Sequence, residues 1–182
     1  MPAINIPKSW DASFLAELAH LGDGWGVTPI DSPTQMKFSF FNPDVTVVED
    51  AIAAYPAAYL AHVKTEKLDH LAKKRYIEEQ KGPSGLTLND KTIARLTAAA
   101  LSLLIDSNKA SVNWKLDVGN FITLPRAHVL GLAVNSVNHV QNCFDHEEYM
   151  SEAIFAVTLD DGLDAALEAL NAIDVNHGWP IA

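Results

Sequence analysis

Between Pro125 and about Val157 one set of positions recurs four and three residues apart: Val129, Ala133, Ser136, Val140, Cys143, Glu147, Met150 and Ile154. On an α-helix that spacing forms one continuous stripe, and a stripe of this length suits an antiparallel helix pair or a coiled-coil-like seam. The repeat therefore predicts the longest helix of the chain, started by Pro125, with its stripe turned inward. The same stretch contains HVQNCFDHEE, residues 139–148. Here His139, Cys143 and either His146 or Glu147 fall three or four residues apart and stack on one helix face.

Three readings of that face differ in chemistry. A helical zinc site takes ligands at i and i+4 plus a third and usually a fourth from elsewhere. His139 and Cys143 meet the first condition and Glu147 extends it. The remaining histidines, His20, His62, His70, His128, His146 and His177, sit in no recognised ligand spacing, and there is no second cysteine. A Cys–His enzyme needs an activated thiolate, which normally lies at a helix N-terminus; Cys143 falls in mid-helix. The third reading is helix interior: Cys143 as a small buried hydrophobe, free of metal, with the histidines flanking the seam. This is the expectation adopted, with no catalytic residue, metal or cofactor.

Upstream, Phe14, Leu15, Leu18 and Leu21 mark an amphipathic helix over 10–21, capped by Ser9 or Asp11. Gly22 and Gly24 end it. Residues 25–30 read as a short strand. In MKFSFF, Met36, Phe38 and Phe40 alternate with Lys37 and Ser39, the period of a half-buried strand. Asn42 as N-cap, Pro43 at the first helical position and Asp44 in the first turn then open a helix through Val45, Val48, Ile52 and Tyr55. Residues 1–56 thus form a small helix–strand–strand–helix module. Pro56 is expected to separate it from residues 57–182. That second part begins with a charged helix over 57–81, whose run KTEKLDHLAKKR (64–75) reads as one solvated face. KGPSG breaks it, and GLTLN is a possible short strand. Asn89 or Asp90 caps a helix with Ile93, Leu96, Ala100, Leu103 and Leu104 inward. Residues 111–124 form a β-hairpin around Asp117–Asn120, with Val112 and Trp114 on one face. Thr158–Asp161 resembles a capping box for a last helix through Leu163, Leu167 and Leu170. The fold class is α+β, mainly helical: a small adaptor module over 1–56, then a helical domain over 57–182 with an inserted hairpin.

Composition narrows function. With 23 acidic against 13 basic residues the net charge is −10, which argues against generic phosphate binding and so against a nucleic-acid partner. A lone cysteine forms no internal disulfide. The longest apolar run, AAALSLLI (98–105), is far shorter than the roughly 20 residues of a membrane span. The N-terminus lacks the pattern of a signal peptide. A protein made in a cytoplasm, with no membrane partner, is expected. Neither GxGxxG nor GxxxxGK[ST] occurs.

From Leu71 onward the order of elements carries a resemblance. It comprises Arg75, Glu78 or Glu79 and Gly82, spaced R-x-x-E-E-x-x-G; LTLND before a helix; Trp114, Lys115 and Gly119 in a hairpin; Phe144 with Glu147 or Glu148 in the long helix; and a terminal GWP. This resembles an uncharacterised domain, domain of unknown function 4376, that recurs in tail and tail-fibre-associated proteins of tailed bacteriophages. The resemblance implies a phage tail context and brings no catalytic or binding residues with it. The expected function is a non-enzymatic tail component, at the baseplate or tail fibre. It would work through contacts with other tail or tail-fibre proteins, as a homo- or hetero-oligomer in the virion tail, and be assembled in the host cytoplasm. The alternatives are a tail-fibre assembly chaperone and a small enzyme using Cys143 and His139. Three residues are candidates for protein contacts. Phe40 and Phe41 are adjacent in a strand, so one points away from a one-sided core. Trp179 lies near an irregular chain end, as a docking anchor.

Overall fold

The structure is a computed structural model; residues 2–41, 44–117 and 119–181 are described. Its class is α+β, mainly helical, with five α-helices and two small antiparallel sheets among the described residues. The chain divides into two compact units. Unit 1 is Met1–Lys67 with Ile154–Ile173, and unit 2 is Leu68–Ala153 with Asp174–Ala182.

Unit 1 is built on a three-stranded sheet of β1 (Ala3–Pro7), β2 (Trp25–Pro29) and β3 (Gln35–Phe40), in the order β1-β3-β2. The alternation in β3 does what its period requires: Phe38 and Phe40 are fully buried, and Lys37 faces solvent. β1 pairs along β3 with Ile4 opposite Phe38 and Ile6 opposite Met36. The expected module had two strands; β1 supplies a third. Helix α1 (Ala12–Leu18) is shorter than the expected 10–21. Asp11 caps it, its Oδ1 accepting from the amides of Ser13 (2.8 Å) and Phe14 (3.1 Å). Leu15, Ala16, Val48 and Tyr55 complete the core around Phe38 and Phe40.

The break expected at Pro56 does not occur. Helix α2 runs Val45–Glu79, 35 residues, with Pro56 inside it. Proline removes one N–H and crowds the carbonyl four residues earlier, a cost of about 3 kcal/mol. Val48 and Tyr55 before that point and Leu60 after it are all buried. Each contributes roughly 1.5–3 kcal/mol of apolar burial, so continuing the helix outweighs breaking it. Of the expected helix start, Asp44 precedes the first turn and its Oδ1 accepts from the Thr46 amide at 3.1 Å; Asn42 and Pro43 lie outside the described residues. Within unit 1, Lys64 Nζ donates to the carbonyls of Phe155 (3.0 Å) and Val157 (2.5 Å), satisfying the C-terminal carbonyls of helix α4 (Arg126–Ala156). Helix α5 (Leu163–Ala172) has Gly162 at its N-cap with no side-chain cap. The expected capping box therefore does not form; Thr158 Oγ1 donates to Asp160 instead, at 2.8 Å.

In unit 2 the segment GLTLN makes only a single bridge, Lys81 with Thr87, after a 3₁₀ turn at Pro83–Gly85. Helix α3 (Asp90–Ile105) is capped by Asn89, whose side chain accepts from the Thr92 amide at 2.9 Å. Leu96, Ala100 and Leu103 are buried as expected. Ile93 and Leu104, also expected inward, are 42% and 61% exposed. The hairpin forms from β4 (Ser111–Asp117) and β5 (Asn120–Pro125), with Val112 opposite Leu124 and Trp114 opposite Ile122. Val112, Trp114 and Leu124 pack on the cluster of Leu96, Leu103 and Val129. Helix α4 starts one residue after Pro125 and, at 31 residues, is not the expected longest helix, because α2 runs on through Pro56 to 35. Val129, Ser136, Cys143 and Met150, seven residues apart, are buried. Between them His139 is buried and Val140 only half-buried, so the seam takes in the histidine expected to flank it. Among the described residues no helix is long and apolar enough to cross a membrane.

Candidate functional site

The polar residues singled out by sequence meet within unit 2, where the last turns of α2 face α4. Leu71 of α2 is fully buried, which turns Arg75 and Glu78, four and seven residues on, toward the same side. Lys74 and Lys81 both donate to the Glu78 carboxylate, at 2.5 and 2.6 Å. First Lys74 and then Lys81 hold that carboxyl below the usual carboxylate range. The Arg75 guanidinium bonds Glu79 on its own helix and, through Nε at 3.0 Å, Glu147 of α4. It also lies over the Phe144 ring, 4.6 Å from the centroid, a cation–π contact.

His139 is 5% exposed, and its Nε2 lies 3.0 Å from the Glu78 carbonyl oxygen. A carbonyl only accepts, so Nε2 carries the proton and donates it. Nδ1 is buried and without a hydrogen-bond partner, as is the Ser136 hydroxyl one turn earlier. Cys143 Sγ lies 3.8 Å from that same Nε2. The nitrogen beside the thiol is thus already protonated and engaged, and it is not available as a base. Burial pushes the Cys143 thiol up to about 11, and the Glu79 and Glu78 carboxylates add to the rise. Among the described residues no three His, Cys, Asp or Glu side chains converge on a metal-sized space.

Two consequences are measurable. A thiol raised from 9.0 to about 11 has roughly a hundredfold less thiolate at pH 8. Burial slows access further, so Cys143 in the folded chain reacts with a disulfide reagent at least about a hundredfold more slowly than in denaturant. Because the folded value is the higher one, this group's contribution is intact below pH 9. It is lost as pH rises toward 11, by about 2–3 kcal/mol. A fast-reacting thiol in the native protein would contradict the burial.

Of the three contact candidates, Phe40 and Phe41 belong to unit 1 and Trp179 to unit 2. Phe40 is fully buried in the core of unit 1, while its neighbour Phe41 is 75% exposed. Trp179 docks on its own unit: Nε1 donates to the Val175 carbonyl at 2.9 Å, and the ring meets His146 edge-on at 4.6 Å. His146 Nε2 in turn lies 3.2 Å from the His177 carbonyl. Sequence reasoning missed the exposed apolar side chains shared by α3 and α4, since a residue at helical spacing does not declare which side of the helix is covered.

The spaced residues of R-x-x-E-E-x-x-G, Arg75 to Gly82, each have a structural task. Arg75 joins α2 to α4, and Glu78 gathers two lysines and presents its carbonyl to His139. Gly82 brings the chain back on itself, its amide donating to the Leu86 carbonyl at 2.7 Å. No curated protein and no solved structure matches the chain. The family signature of the domain of unknown function DUF4376 matches residues 62–172, more than half of the 182. The chain belongs to the DUF4376 family.

Proposed function

We propose that this chain is a non-enzymatic component of a bacteriophage tail, at the baseplate or tail fibre, acting through contacts with other tail proteins. The observation that carries this reading is how the family residues are used. Arg75 bonds Glu79 and Glu147 and lies over Phe144, while Glu78 takes Lys74 and Lys81, and none is left aimed at a reacting group. The ordered run of elements from Leu71 onward supplies the phage context by resemblance. The protonated, buried Cys143 and its engaged histidine weigh against the Cys143–His139 enzyme. Exposed apolar side chains such as Phe41 and Val137, 75% and 68% exposed, weigh for a protein that meets others.

Mass spectrometry of purified virions, with the infected-cell lysate measured in parallel, tests the reading. The chain is expected in virions at a stoichiometric ratio to known tail proteins. Presence in the lysate with absence from virions would replace this reading with that of a tail-fibre assembly chaperone.

A further inference from the structure

Helices α3 and α4 lie antiparallel within unit 2. Ile93 at the start of α3 shares a concavity with Phe144, and Leu104 at its end shares one with Val134. Three concavities of about 310, 260 and 320 Å³ run into one another along the pair. The first two share Leu88, Ile93, Val140 and Phe144; the last two share Thr97, Ala133 and Val137. At 1.5 Å per residue, the stretch from Val134 to Phe144 makes this groove about 15 Å long. Its exposed apolar side chains come from both helices: Ile93 (42%), Leu101 (52%) and Leu104 (61%) from α3, and Val134 (58%), Val137 (68%) and Phe144 (43%) from α4. The other lining residues in its middle and far sections are uncharged.

We infer that a second copy of this chain docks on the α3–α4 groove, forming a two-fold dimer whose four helices close into a bundle. The inference rests on the reading that the protein works through protein contacts. Three observations select a second copy. Six side chains at these exposures present on the order of 600 Å², more than a few hundred Å² left bare on ordinary monomers and close to the roughly 800 Å² per partner of a stable interface. Each copy carries a net charge of −10, so two copies repel unless they meet on an uncharged surface, and the middle of this groove is one. The ends of the groove also differ in sign. At the Phe144 end Glu79 and Asp90 line the groove with Arg75 as the lining cation, and Arg75 is already paired with Glu147 and Glu79. At the Leu104 end, Arg126 donates to the Leu103 and Asp106 carbonyls and Lys109 to Ser102, so two cations face one anion, Asp106. A two-fold axis across the groove sets each acidic end against the other copy's basic end. A parallel alignment would stack acid on acid. Two antiparallel helix pairs joined in this way form a four-helix bundle, a geometry with common packing angles and an isologous interface.

Sedimentation of the full-length chain over the micromolar range tests the inference. A reversible dimer is expected, and Val137→Lys is expected to weaken it by about a hundredfold or more, as burying an unpaired charge at an interface centre does. Val137 is mostly exposed, so the variant keeps the wild-type circular dichroism and, at concentrations where both chains are monomeric, the wild-type melting temperature. Leu104→Lys repeats the test from the other helix should Val137→Lys perturb the fold. A wild-type chain that stays monomeric, a trimer or larger species, or a dimer unaffected by both folded variants would overturn the inference. The presence of the chain in virions is a separate measurement, so a monomeric chain found in tails would refute the groove dimer and leave the tail reading standing.

Discussion

Replacing Tyr55 by alanine is expected to lower the stability of unit 1 by about 4 kcal/mol, within the 3–5 kcal/mol typical of large buried aromatics. Tyr55 is fully buried. Its ring stacks on Trp10 at 4.1 Å and on Tyr59 at 5.2 Å, and meets Phe14 edge-on at 5.7 Å. Its hydroxyl accepts from the Asp11 amide at 2.6 Å, which ties the cap of α1 to α2. The truncation thus leaves a cavity, undoes a stack and strands a backbone donor. Tyr55→Phe separates these effects: it keeps the packing and loses only the hydrogen bond, at about 1 kcal/mol. Domains are held by roughly 5–15 kcal/mol, so the alanine variant should show a much lower denaturant midpoint by Trp10 and Trp25 fluorescence. An unchanged midpoint would mean that the aromatic cluster does not carry the core.

Gly82→Ala is expected to cost about 3 kcal/mol or more in unit 2, for a reason of space rather than backbone preference. Gly82 has an ordinary extended conformation, φ −77° and ψ 168°. A Cβ there would sit 2.4 Å from the Leu86 carbonyl oxygen and 2.5 Å from Leu88 Cγ. That carbonyl is the one its own amide bonds, so the turn must open or the hydrogen bond must break. Forced overpacking of this kind costs typically 1–3 kcal/mol and occasionally more. Gly85, three residues on, makes the control. Its φ is +75° and nothing lies within 4 Å of its Cβ position, so Gly85→Ala meets only the left-handed penalty of about 1–2 kcal/mol. Thermal unfolding of the pair should rank Gly82→Ala well below Gly85→Ala. Equal shifts would remove the close approach as the explanation.

What was legible in the sequence followed from how far each periodicity extends. Helix α4 carries its repeat through eight positions, and β3 alternates through Met36, Phe38 and Phe40; both elements are where the patterns place them. Asp11 and Asn89 cap their helices because a short polar side chain before an apolar run has few other uses. Strand β1 was missed because Ile4 and Ile6 give only two beats of alternation. Pro56 misled because a local rule against proline competes with a tertiary gain, the burial of Tyr55 and Leu60 around it, that sequence does not display. Ile93 and Leu104 have helical spacing yet face outward, since a helix can carry one apolar stripe for its own core and another for something else. The place of the opening motif was legible in part: the mid-helix Cys143 is buried, as a lone thiol in an unbroken stripe should be. The partners were not. Arg75 and Glu147 are 72 residues apart, and the Glu78 carbonyl that receives His139 is a backbone atom that no motif can name.

That Arg75 and its partners build a joint between α2 and α4 in unit 2 is tested most directly by a double-mutant cycle on Arg75 and Glu147. Their side chains are 20% and 22% exposed and share a charge-assisted hydrogen bond of 3.0 Å. Arg75→Met, Glu147→Gln and the double variant, compared by denaturant unfolding, should give a coupling energy of about 1–2 kcal/mol, allowing for partial solvent screening. A coupling indistinguishable from zero, with both single variants as stable as the parent, would show that these residues do not hold α2 to α4 in unit 2 and would contradict the structural role given to the motif.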